Sequence, residues 1–124
     1  RWGRVEILNP LEEPMEKNSR VNLPKQWKET TFRGPTAVAV LVRHCHVGHR
    51  IARYAYGSGS YPKLNTEELL EDSKVWSSGE RRLVLAAVHL FNGDCEVPLA
   101  RLAEGLDDRN WEAFMAALRQ YRRA

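Results

Sequence analysis

Residues 77–93 read SSGERRLVLAAVHLFNG, and this stretch decides the fold class. Ser77 and Glu80 have the spacing of a capping box. In that motif the hydroxyl accepts from the Glu80 N–H while the carboxylate reaches back to the Ser77 N–H. Leu83, Val84, Ala87, Val88, Leu90 and Phe91 then recur at the period that gathers side chains on one broad helical face. Asn92-Gly93 ends the element, because glycine takes the left-handed conformation that closes a helix. A helix with so wide an apolar face needs other helices to cover it.

The same punctuation continues on both sides. Asn65 with Glu68 forms another capping box, and Leu64 with Leu69 has the spacing of a hydrophobic staple; together they open a short helix over Thr66–Asp72. Pro98 starts a third helix, interrupted at Gly105, whose Leu99, Leu102, Ala103 and Leu106 share a face. Asp107 caps a fourth, with Trp111, Phe114, Met115, Leu118 and Tyr121 on one stripe. Asp108 in its first turn and Arg119, Arg122 and Arg123 in its last complement the helix dipole. Trp76, Trp111, Phe91 and Phe114 read as core aromatics.

Upstream, Gly34-Pro35 opens residues 36–56. On a helical wheel Ala37, Val38, Val40, Leu41, Cys45, Val47, Ile51, Ala52 and Ala55 share an arc, with Arg43, His46, Arg50 and Arg53 opposite. One amphipathic helix with a basic stripe is the expectation. The alternative makes 36–42 a buried strand, since Val38, Val40 and Val42 are β-branched. Gly57-Ser58-Gly59-Ser60 reads as a flexible joint, native or introduced. Residues 1–34 lack helical period and are broken by Pro10, Pro14 and Pro24, with short strand candidates at 4–8 and 20–23. The chain is therefore expected to be mainly α: a small bundle of four to five helices with an extended N-terminal arm that has room for a short β-hairpin. Residues 1–34 form the arm, packing on the core, and residues 35–124 a single helical domain jointed at 57–60.

A length of 124 residues allows one domain with a real core. The longest apolar run, residues 37–42, is far too short to cross a bilayer. No secretory signal is legible, and the chain opens at Arg1 rather than Met, as a fragment or a processed or renumbered chain would. Cys45 and Cys95 make no disulfide framework and fit a reducing, cytoplasmic compartment.

Net charge is only +3, but its distribution is uneven. Residues 30–66 contain no Asp or Glu, while they hold Arg33, Arg43, Arg50, Arg53 and Lys63 with His44, His46 and His49. Glu67, Glu68, Glu71 and Asp72 follow at once. Such segregation points to an anionic partner or to an electrostatic match inside the fold. Arg43, Arg50 and Arg53 on one helix face could follow a phosphate backbone, since the guanidinium fork bonds two oxygens at once. Tyr54, with Tyr56 nearby, could stack on unpaired bases. The plain alternatives are a solvated face, or arginines paired with the Glu67–Asp72 carboxylates.

Other constellations are weaker. Cys45, His46 and His49 could face together on a helix, but zinc needs about four ligands and no CxxC or HExxH is present. No metal or cofactor is therefore expected. The pair of helices around Gly105 has the outline of a helix-turn-helix, yet Asp107, Asp108 and Glu112 would repel phosphate where a reading helix approaches. No nucleophile elbow or phosphate-cradling glycine loop occurs. Trp2 and Trp27 in the arm either fold back or anchor a partner. The reading is a non-catalytic accessory protein that contacts RNA or DNA through a basic helix face. A protein-binding adaptor or assembly subunit, self-associating or hetero-oligomeric, is the alternative; a small metal-dependent enzyme is the remaining one.

Overall fold

The computed structural model describes residues 21–123. Among them the chain is mainly α, with seven α-helices and a small antiparallel hairpin. The order is α1 Lys25–Glu29, α2 Arg33–His44, α3 Gly48–Ala52, β1 Ala55–Ser58, β2 Tyr61–Leu64, α4 Thr66–Asp72, α5 Ser78–Asn92, α6 Leu99–Gly105 and α7 Asp108–Arg123. A 3-10 turn, Ser73–Val75, follows α4.

The central element is α2, which packs most extensively on α7 and next on α5. Ala37, Val38, Leu41 and Val42 are buried along it, so the strand alternative for residues 36–42 is not realised. The β-branched valines are tolerated because burial outweighs their few tenths of a kcal/mol of helix propensity. The facing stripe of α7 is Asn110, Ala113, Phe114 and Ala117. That stripe is rotated from the expected one: Leu118 and Tyr121 are exposed, because small alanines let α7 approach α2 closely. In α6 only Leu102 is buried, and Leu99 faces out.

The Ser77–Glu80 capping box forms in full, and the Asn65–Glu68 one in half, because the Asn65 backbone N–H goes to Tyr54 O instead of to Glu68. Asn65 accepts from the Glu68 N–H, and Ser77 and Glu80 exchange both bonds. Gly93 closes α5 at φ 77°. Arg81 donates to the Leu70 carbonyl and to the buried Ser73 hydroxyl, satisfying the frayed end of α4.

Three further expectations change. The expected single helix over 36–56 is two, α2 and α3, with a sharp turn at 45–47 between them. Gly48 makes the turn possible: a Cβ there would lie 1.6 Å from the Val42 carbonyl oxygen, so no other residue fits. Residues 57–60, expected as a flexible joint, belong to the hairpin, in which Ser58 pairs with Tyr61 across Gly59-Ser60. Gly59 is at φ 63° and Ser60 has negative φ, the pattern of a type II′ turn. Asn65 N–H donates to Tyr54 O. Counting in alternation from that bond, Pro62 opposes Gly57 at a non-hydrogen-bonded position, where its missing N–H costs nothing.

The third change concerns the arm. Its described part contains α1, whose Trp27 is 2% exposed and stacks on Phe91 with ring centroids 5.6 Å apart. The Trp27 indole N–H is shared by the carbonyls of Tyr56 (2.9 Å) and Lys63 (3.1 Å). One side chain thus ties α1, the hairpin and α5 together. Residues 21–23 form no strand. Trp2 and the strand candidate at 4–8 lie outside the described residues.

Candidate nucleic-acid interface

The break at Cys45 removes the helical phase that would have aligned Arg43, Arg50 and Arg53. Each side chain then finds its own environment. Arg50 lies 3.8 Å above the Trp76 ring and 3.3 Å from the Glu80 carboxylate. Glu80 was legible as a helix cap; its second role, binding Arg50, was not. The Ser77 backbone N–H holds the Glu80 carboxyl below its ordinary range, with the Ser77 hydroxyl, Arg50 and then His46 adding to the effect. Arg43 is half-buried, and Arg53 is exposed at the end of α3. Tyr54 is half-buried and donates to Asp72 at 2.7 Å. That bond, with burial and the Asp72 charge, pushes its hydroxyl pKa up to about 12. Tyr54 is thus occupied within the chain, and the expected stripe Arg43, Arg50, Arg53 and Tyr54 is not one surface.

The histidines and cysteine around the turn also separate. Cys45 is 2% exposed, and burial pushes its thiol up to about 12. His46 turns its Nδ1 to the Asn110 side-chain amide at 2.7 Å and its Nε2 to Glu80 at 3.7 Å. His49 is exposed. Among the described residues no group of three or more His, Cys, Asp or Glu is placed to hold a metal ion. Asn110, buried at 3% exposure, also accepts from the His46 N–H. Arg109 donates to the His44 carbonyl at 2.9 Å, closing the C-terminal end of α2. His44 itself is buried, and burial, then Arg43 and Arg109, lower its pKa, so it stays neutral at pH 7. The turn is a structural knot whose polar groups serve the fold.

The hairpin presents the opposite situation. Its burial alternates, so Gly57, Pro62 and Leu64 turn inward onto α1 while Tyr56, Ser58, Tyr61 and Lys63 face out. Gln26 of α1 donates to Gly59 O at 3.0 Å, tying the turn to that helix. Tyr56 opposes Lys63 across the ladder. Tyr61 is 56% exposed and stacks on Phe32, itself 52% exposed, with centroids 6.0 Å apart and planes 5° from parallel. The next residue, Arg33, sits at the start of α2 with its guanidinium 6.0 Å from the Tyr121 ring. Lys25 and Lys28 are exposed on α1.

Sequence reasoning missed Phe32 and Tyr61. The available signal was two short alternating runs around Gly59-Ser60, a hairpin pattern that sets Tyr56, Tyr61 and Lys63 on one face. Beyond Tyr56 lies a shallow hollow of about 530 Å³ lined by Leu64, Asn65, Glu67, Leu70 and Asp94. Its two carboxylates, Glu67 and Asp94, lie outside the acid-free stretch of sequence. Among the described residues, no helix is long and apolar enough to cross a membrane. Comparison with known proteins finds no family model, curated protein or solved structure that matches the chain.

Proposed function

We propose that this chain is a non-catalytic accessory protein that contacts nucleic acid, RNA or DNA, through exposed cations of the acid-free stretch. The observation that carries the reading is Lys63 on the same exposed hairpin face as Tyr56 and Tyr61, with Arg33 exposed next to Phe32 in the chain and no carboxylate in residues 30–66. Arg53, exposed just before β1, extends the same charge. Arg50 and Tyr54 drop out of the proposed contact, because their polar groups are bound to Glu80 and Asp72. Cytoplasmic residence belongs to the same proposal, since both cysteines are free, as in a reducing compartment.

Phosphate contacts release counterions, so affinity must fall as salt rises. Anisotropy titration of labelled oligonucleotides at rising salt is the test. The expected result is binding whose log affinity declines linearly with log salt, and a shallower slope for Lys63→Gln. Absence of binding to both single strands and duplexes at low salt would overturn the reading.

The exposed Phe32–Tyr61 pair also favours a second reading, a protein-binding adaptor. Aromatic anchors of this kind are common at the centres of protein interfaces. Trp27 would not be its anchor, being buried against Phe91 and the hairpin.

A further inference from the structure

We infer that the hairpin face is a stacking platform for unpaired bases, so that the nucleic acid recognised is single-stranded; this rests on the nucleic-acid reading above. Three observations carry it. First, Phe32 and Tyr61 are each more than half exposed although their rings are stacked, so each ring leaves area open to a further planar partner. Stacking on an aromatic side chain requires a base freed from its own duplex neighbours, and it tolerates any sequence because every base has a π-face. Second, Tyr56 and Tyr61 point to the same side of the hairpin as diagonal cross-strand neighbours. Residues so placed lie about 7–8 Å apart, close enough for one strand to visit both. Third, Lys63 projects from that same face, directly opposite Tyr56. It supplies the phosphate contact that stacking lacks.

The surrounding charges set where on the face the strand sits. Glu67 and Asp94 share the hollow beside Tyr56 and would repel phosphate there. Residues 30–66, which carry Tyr61 and Phe32, contain no carboxylate, and Lys63 shares the hairpin face with Tyr61. The platform is therefore centred on Tyr61 and Phe32, with Tyr56 at its edge. The hairpin is also firmly seated, because its backbone carbonyls are bound by Trp27 and Gln26. Exposed rings on a fixed backbone lose little conformational freedom on binding.

The test uses the full chain with fluorescein-labelled dT12 and U12, and a hairpin duplex of matched length, at low salt. Single strands should bind at least tenfold tighter than the duplex. Tyr61→Ala and Phe32→Ala should each weaken single-strand binding roughly tenfold, within the range measured for lost base stacking. Tyr56→Ala should have a smaller effect, and none of the three should change the residual duplex affinity. Circular dichroism melts confirm that these exposed-site variants fold. Equal affinity for duplex and single strand, indifferent to Tyr61→Ala, overturns the stacking platform and leaves nucleic-acid binding intact. No binding of any oligonucleotide removes both. If instead sedimentation shows concentration-dependent association that Tyr61→Ala abolishes, the face is a protein interface and the inference fails.

Discussion

Two parts of one acid-free stretch meet different fates. At the turn between α2 and α3, Arg50, His46 and the backbone around them are bound to Glu80, Trp76 and Asn110. On the hairpin a few residues later, Tyr56, Tyr61 and Lys63 face outward. Position along the chain does not separate the two, since both belong to residues 30–66. What separates them is which elements fold over each. The turn lies where the N-terminal ends of α5 and α7 converge, and those ends bring Glu80 and Asn110. Among the described residues the hairpin packs one face on α1 and leaves the other exposed.

The largest expected effect breaks the turn. Gly48→Ala places a methyl group against the Val42 carbonyl. It should cost more than ~3 kcal/mol, the range of severe backbone and packing clashes, measured by urea denaturation. An unchanged midpoint would mean that α2 and α3 do not turn there. The hairpin has its own anchor, and Trp27→Phe keeps the ring against Phe91 while deleting the N–H that serves Tyr56 O and Lys63 O. A loss of about 0.5–1.5 kcal/mol is expected for the deleted hydrogen bond, since both carbonyls keep their ladder partners, with faster amide exchange confined to the hairpin and α1.

Arg50→Gln sharpens the contrast. Arg50 is about one-third exposed, so its pair with Glu80 is worth at most ~1 kcal/mol. The variant should melt almost normally and change oligonucleotide affinity less than twofold, whereas Lys63→Gln weakens binding with no loss of stability. If Arg50→Gln were the more damaging to binding, the two regions would have exchanged roles. The smallest effect is one of pH. Tyr54 titrates near 12 in the fold against 10.0 ordinarily. Its bond to Asp72 therefore stabilises fully below pH 10 and is lost as pH rises through about 12. Tyr54→Phe should flatten stability over that window, read from melts at pH 9 to 12.

Legibility in the sequence followed locality. Ser77 and Glu80 announced their helix because a capping box spans four residues, and Gly93 marked its end because one backbone conformation suits one residue type. The α2–α3 turn was hidden because Gly48 is only a mild irregularity in an otherwise perfect amphipathic wheel. Its close contact with Val42 is a fact of three dimensions. The stripe of α7 was misjudged for a related reason. Large side chains dominate a hydrophobic pattern, whereas close helix packing selected Ala113 and Ala117.

By itself the chain's order of residues determined a mainly helical fold, its starts and stops, and a stretch lacking carboxylates. Those depend on neighbours within a turn or two, where spacing is geometry. Tertiary structure alone decided which cations stay available. Arg50 met a carboxylate 30 residues away, and Tyr61 met Phe32 instead of a covering helix. Charge in a sequence records only what a side chain carries; whether water or another part of the chain receives it depends on contacts between distant segments.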